Sequence, residues 1–251
     1  TMTRANMLTL QTDIDSELDH ELAQRFAYAI DHAKRPSGRL RAAADILRSW
    51  NGVMHTGEAA PAIVTAARDA LWPLLLEPKL GTDWKLYEWP ESAYVEEQLI
   101  TSTPAAWLPK RYATWDDLLA AAVTRGLDLR HAPLSLKNWR YGDDHTIALA
   151  HPLYGMIPFF GWTGIPSHPQ SGGTTTVKQV GRDFGPSQRF TMDWSDINAS
   201  TENIVMGQSG DPVSPYYRDQ WPAWYGGTTF ALPFTPAAVN AATEHTLRLT
   251  P

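Results

Sequence analysis

Gly207-Gln208-Ser209-Gly210-Asp211-Pro212 sets a serine between glycines, the arrangement that exposes a nucleophile where a strand turns sharply into a helix. Two residues argue against that chemistry. The fifth position is Asp211 where glycine is needed, and Pro212 forbids the helix that must follow. The motif reads as a glycine-flanked turn. His145 and His151, with Asp143 and Asp144 just before them, supply donor types of a zinc site. Their spacing is not the i, i+4 pair of a helical ligand motif, and Pro152 follows His151 directly, so both read as loop histidines bonded to backbone. Asp193, Ser195 and Asp196 form an acidic turn without the glycine and closing glutamate of the helix-loop-helix calcium site. Thr1 is a chain-terminal hydroxyl whose own amine could serve as its base, yet it opens a polar segment ahead of a helix and reads as a boundary residue. No residue is therefore assigned a catalytic, substrate-binding or metal-binding role.

The elements that would position such groups change character along the chain. Ser16 caps a helix with Leu18, Leu22, Phe26 and Ile30 recurring on one face, ended by Lys34-Arg35-Pro36-Ser37-Gly38. A second helix carries Leu40, Ala44, Leu47 and Trp50 and stops at Asn51-Gly52. A third follows Pro61 with Ile63, Val64, Ala67, Leu71 and Leu75 inward, bent or shortened by Pro73. Shorter helices are expected over residues 91–100 and after Thr114, where Thr114-Trp115-Asp116-Asp117 offers a capping box and Gly126 a stop. Residues 149–171 read as a long irregular connection with Pro152, Pro158, Pro166 and Pro169. Strands are expected at 174–180, 188–194, 203–206 and 246–249, with a turn at Phe184-Gly185-Pro186-Ser187 and a small helix from Thr235-Pro236 through Ala242. The fold class is α+β, with a mainly helical layer over 1–130 followed by a proline-rich connection and antiparallel strands over 131–251.

Composition narrows the function classes. The 251 residues, 43% hydrophobic, can bury a sizeable core. A net charge of −6 leaves no basic field for nucleic acid or an anionic membrane, and no window is apolar enough for a span. Without cysteine there is no disulfide or thiol catalysis. Eleven tryptophans, scattered beside Leu, Pro and Ala, read as core aromatics; a free-standing module stacking a carbohydrate or other planar ligand on exposed indoles is the alternative.

Ordered blocks span nearly the whole chain. They are Leu10-Gln11-Thr12-Asp13 with Ser16, Leu47-Arg48-Ser49-Trp50-Asn51-Gly52, Trp107-Leu108-Pro109, Trp139-Arg140-Tyr141-Gly142-Asp143-Asp144-His145, His151-Pro152-Leu153 and Thr175-Thr176-Val177. Phe184-Gly185-Pro186-Ser187-Gln188-Arg189, Ile204 to Pro212, Tyr216 to Trp221, Leu232-Pro233-Phe234-Thr235 and Thr246 to Pro251 continue them. Their order resembles the C-terminal part of the β chain of the penicillin acylase (penicillin amidase) family, amide hydrolases of the N-terminal nucleophile superfamily. Asn51 stands where that family usually has Asp, and Tyr141 where it usually has Trp.

The resemblance implies part of a four-layer αββα sandwich whose precursor cuts itself into α and β chains. It implies a serine nucleophile, an asparagine oxyanion donor and a calcium site that all lie upstream of the matched segment. None of the family's catalytic residues therefore falls on this sequence. The expected partners are the remainder of the enzyme, a small N-acyl substrate in the whole enzyme and, through bare strands at 174–180 and 188–194, another copy of the chain. The implied location is periplasmic or secreted.

Overall fold

The computed structural model describes residues 2–87 and 92–250. Helix α1 (Arg4–Gln11) begins in a capping box in which Thr3 and Asn6 bond each other's backbone. It is a helix where a polar segment was expected, and its hidden signal is that it buries none of its residues. Helix α2 (Glu17–His32) starts at Ser16, whose hydroxyl accepts from the Asp19 N–H at 3.2 Å, and buries Leu22, Phe26 and Ile30 as its periodicity predicts. Helix α3 (Gly38–Arg48) is capped by Ser37.

Helix α4 (Ala60–Leu80) runs through both Pro73 and Pro78, so Pro73 does not shorten it. Proline inside a helix costs roughly 3 kcal/mol. Leu71, Trp72, Leu74, Leu75 and Leu76 are all buried around it, and that apolar area offsets the cost. Helix α5 (Ser92–Ser102) matches the expected helix, whose first residue, Glu91, lies outside the described residues. Helix α6 (Trp115–Leu129) starts in the expected capping box of Thr114 with Asp117 and continues past Gly126. Gly126 is no stop. A Cβ there would lie 2.3 Å from the Ala66 carbonyl oxygen, so glycine lets α6 lie against the backbone of α4.

After the short helix α7 (Tyr141–Asp144), strand β1 (Thr146–Leu149) pairs antiparallel with β2 (Ile165–Pro169), Thr146 opposite Pro169 and Ile147 opposite His168. The irregular connection expected over 149–171 thus closes in a strand. A two-stranded ladder has only edges, where prolines can turn their missing N–H outward. Residues 174–180 form no strand. The Thr176 hydroxyl accepts from the Gly173 N–H at 3.0 Å and lies 2.8 Å from the Lys178 carbonyl, folding the segment into a turn with a single bridge from Gly173 to Gln179.

Strand β3 (Gln188–Thr191) ends before Trp194, because Asp193 folds the following residues into a loop. It pairs antiparallel with β4 (Thr201–Ile204), which begins two residues before the expected strand. Helix α8 (Trp221–Gly226) and strand β5 (Phe230–Ala231), which adds to β4, were not legible. Helix α9 (Pro236–Ala242) has the expected Thr235 cap, and 246–249 is not a strand.

The elements gather into two compact units. One holds α2 to α7 with β1 and β2 (Ile14–Leu149 and Ile165–Asp183); the other comprises residues 2–13, Ala150–Gly164 and residues 184–250. The protein is α+β with small antiparallel sheets. The helical unit's core is Phe26, Ile30, Leu47, Ile63, Leu71, Leu75, Leu118 and Leu119, all fully buried. Among the described residues no helix is long and apolar enough to cross a membrane.

Candidate functional site

The densest chemistry in the helical unit is a buried polar cluster. Asp19, the third residue of α2, points inward, with Arg68 on α4 donating to its Oδ1 at 2.7 Å. Its Oδ2 accepts from the hydroxyls of Ser16 at 2.7 Å and Thr175 at 2.5 Å. The other side of the guanidinium donates through Nε to Glu96 on α5 at 3.1 Å. Burial pushes the Glu96 carboxyl up to about 7, against the opposing pull of Arg68. Burial alone would lower the Arg68 pKa, but the fields of Asp19 and then Glu96 raise it. One cation thus faces two carboxylates, and burial favours the protonated form of Glu96. The cluster ties α2, α4, α5 and the Thr175 turn together. Sequence reading missed it, although Arg68 in the apolar run of α4 was the available signal.

Among the described residues, His145 and Asp144 join no metal centre. His145 sits 4.5 Å from Tyr141, ring on ring at 10°, and its Nδ1 donates to the Gln170 carbonyl at 2.6 Å. Burial lowers its pKa more than the carbonyls of Gln170 and Val180 raise it. Asp144 accepts from the Trp139 indole at 3.0 Å, and Asp143 and Asp144 are exposed. The Tyr141 hydroxyl donates to the Gly172 carbonyl at 3.1 Å, and burial raises its pKa.

In the other unit, His151 is buried, and its Nδ1 accepts from the N–H groups of Leu153 and Tyr154, each at 3.1 Å. That fixes the proton on Nε2, which donates to the Gly210 carbonyl at 3.1 Å. The ring reaches the backbone beside Ser209 and not its hydroxyl, which accepts from the Asp211 N–H at 3.1 Å. Ser209 N–H in turn donates to the Tyr216 carbonyl, and the Tyr217 hydroxyl to the Thr163 carbonyl at 2.7 Å. Ser209 therefore lacks a base, and the block closes a loop, as its sequence indicates. The Asp193 carboxylate accepts from the Ser195 hydroxyl at 2.6 Å and backbone at 3.0 Å, and pairs with Arg4 at 3.3 Å. Those bonds, Ser195's hydroxyl first, lower its pKa. Asp196 caps the turn to Asn198. Among the described residues no three His, Asp or Glu side chains gather as a metal site, and Thr1 lies outside them. Among the described residues Trp50, Trp72, Trp115, Trp139 and Trp224 are buried, whereas Trp162 and Trp194 are exposed.

Comparison with known proteins places this scaffold. Residues 1–241 match the sequence model of the family described as penicillin amidase. An acyl-homoserine lactone acylase QuiP of Pseudomonas syringae pv. tomato is 27% identical over 202 residues, covering 67% of this chain and 24% of its own length. The QuiP of Pseudomonas aeruginosa is 24% identical over 241 residues, 83% of this chain and 28% of its own. A penicillin acylase 2 proenzyme of Pseudomonas sp. strain SE83 is 26% identical over 200 residues, 71% and 24% respectively. The chain spans about a quarter of the length of the curated relatives it matches.

Proposed function

Because the chain belongs to the penicillin amidase family, we propose that it forms the C-terminal β-chain portion of an amide hydrolase that cleaves linear N-acyl bonds and is inactive by itself. The carrying observation is the family match along nearly the whole chain joined to relatives about three times as long. The geometry is compatible with this: Ser209, His145 and His151 engage backbone groups, and the buried Asp19–Arg68–Glu96 cluster serves as a tie between helices. On this reading the nucleophile, the oxyanion donor and the calcium ligands come from the rest of the enzyme, this chain supplies outer helices and strands of an αββα sandwich, and the enzyme works in the periplasm or outside the cell. Penicillins, cephalosporins and acyl-homoserine lactones are candidate substrates of the whole enzyme.

The test is turnover of a chromogenic phenylacetyl anilide and of a fatty-acyl homoserine lactone by two proteins. These are the purified 251-residue chain and the complete gene product that contains it. Hydrolysis by the longer protein alone is expected. Turnover by the 251-residue chain above a boiled control overturns the assignment of the reactive centre elsewhere.

A further inference from the structure

Helix α3 leads into Trp50-Asn51-Gly52-Val53, a turn closed from both sides. The Trp50 indole donates to the Val53 carbonyl at 3.0 Å, and the Ser16 N–H donates to the Gly52 carbonyl at 3.0 Å. Asn51 is exposed, and its Oδ1 accepts from the Val53 N–H at 3.3 Å. This bond from a side chain to the backbone two residues on is an Asx turn, which curls the side-chain amide carbon over the intervening peptide nitrogen. That nitrogen belongs to Gly52, and among the described residues its N–H makes no hydrogen bond. The fold also requires glycine there. Gly52 has φ 91°, and a Cβ would lie 2.7 Å from Asp15 Oδ1 and 3.2 Å from His20 Cβ. Asparagine is thus followed by the one residue that puts no side chain of its own beside the peptide nitrogen, although Gly52 itself is buried against Asp15 and His20.

We infer that Asn51 is a modification site, where the folded turn promotes its own deamidation. Base removes the Gly52 N–H proton, and the nitrogen attacks Cγ of Asn51, forming an N–C bond and a tetrahedral centre. The Val53 N–H, already on Oδ1, stabilises the charge that develops on that oxygen. The bond from Cγ to Nδ2 breaks, and the amide leaves as ammonia with a proton from solvent. Water then opens the cyclic imide at either carbonyl, giving aspartate or isoaspartate. The balance is one water consumed and one ammonia released, with no change of oxidation state. Aspartate preserves the backbone and can still accept from Val53. Isoaspartate inserts a methylene between residues 51 and 52 and draws Trp50 away from the Val53 carbonyl. Either product adds a negative charge to the turn.

The test incubates the 251-residue chain in warm, mildly alkaline buffer and maps peptides by mass, with isoaspartate detected by its methyltransferase. Asn51 should convert at least about tenfold faster than Asn6, Asn138, Asn198, Asn203 or Asn240, a barrier difference of about 1.4 kcal/mol. The rate should rise with hydroxide, and Asn51→Gln should abolish that mass gain. An intact Asn51 in the folded chain, while the same chain in urea converts, overturns the inference by showing that the turn protects the amide. Neither outcome depends on whether the enzyme assignment holds.

Discussion

Gly126 of α6 lies directly against the backbone of Ala66 and Ala67 on α4: a Cβ at Gly126 would sit 2.3 Å from the Ala66 carbonyl oxygen and 2.8 Å from the Ala67 nitrogen. Backbone atoms in the middle of a helix cannot step aside, so the two axes would have to separate and loosen the packing of Ala70, Leu119 and Val123. Alanine gains about 1 kcal/mol in helix propensity, and overpacking typically costs 1–3 kcal/mol or more. Gly126→Ala is therefore expected to destabilise the chain by about 2 kcal/mol. Gly38, at the start of α3, has nothing within 4 Å of a Cβ, and Gly38→Ala should be neutral or mildly stabilising. Urea titration decides: equal midpoints for the two variants contradict this account of the helix contact.

That contact also shows what the sequence could and could not reveal. Local signals are complete in Ser16, Thr114 and Thr235, whose hydroxyls find their own N–H partners within one turn, and those helix starts were legible. Gly126 was read as a stop because its reason lies on another helix. Residues 174–180 have strand-forming side chains, yet Thr176 turns its hydroxyl onto the backbone, which no β-propensity records. Strand β2 was hidden for the opposite reason, since Pro166 and Pro169 at a ladder edge look like loop residues, and β1 has only four residues and no partner but β2 to mark it. The partners of Asp19, Arg68 and Glu96 were likewise set by which helix faces meet.

Glu96 makes stability depend on pH in an unusual direction. Burial raises its folded-state pKa to about 7 from the ordinary 4.5, so the folded chain binds this proton more tightly than the unfolded chain does. The groups facing it are Arg68 and Asp69 on α4 and Asp19 on α2. Its stabilising share is whole below about pH 4.5 and is lost as pH rises through 7, a change on the order of 3 kcal/mol at 1.36 kcal/mol per pKa unit. Thermal melts between pH 5 and 8 should show a falling midpoint, and Glu96→Gln should flatten the profile. A wild-type profile that rises over this window, or an unchanged slope in the variant, refutes the assignment to Glu96.

Ser16 and Thr175 both donate to one oxygen of the Asp19 carboxylate, Oδ2, with their own hydroxyls 2.9 Å apart. Ser16→Ala removes a helix cap and one charge-assisted bond, an expected loss of about 2 kcal/mol. Thr175→Val removes the other at nearly constant shape, an expected loss of about 1.5 kcal/mol. Because both variants act on one carboxylate, their effects should not add. A double-mutant cycle with a coupling energy near zero is the result that separates the two hydroxyls into independent contacts.

Self-association is expected through a surface other than the strand segments at 174–180 and 188–194. The first is a turn, and the second presents Arg189 and Thr191 to the interior, Arg189 only 1% exposed. Trp194 and Phe190 are exposed in the second segment, but the exposed apolar side chains of that unit run closest together along the chain at Leu153, Met156, Ile157, Phe159 and Trp162, with Phe159 97% exposed at φ 73°. The segment is held outward by its own bonds: the backbone N–H of Ile157 donates to the Tyr154 carbonyl, that of Thr163 to Phe160, and Arg218 donates to the Trp162 carbonyl. No charged residue occurs from 152 to 164, so two copies can meet there without like-charge repulsion, whereas water can satisfy none of the apolar side chains. Light scattering of the 251-residue chain across micromolar concentrations should show a mass that grows with concentration, and Phe159→Ser with Trp162→Ser should hold it monomeric with an unchanged melting midpoint, since neither side chain is buried. A monomeric wild type with a cooperative melt rules out this surface as an attachment between copies.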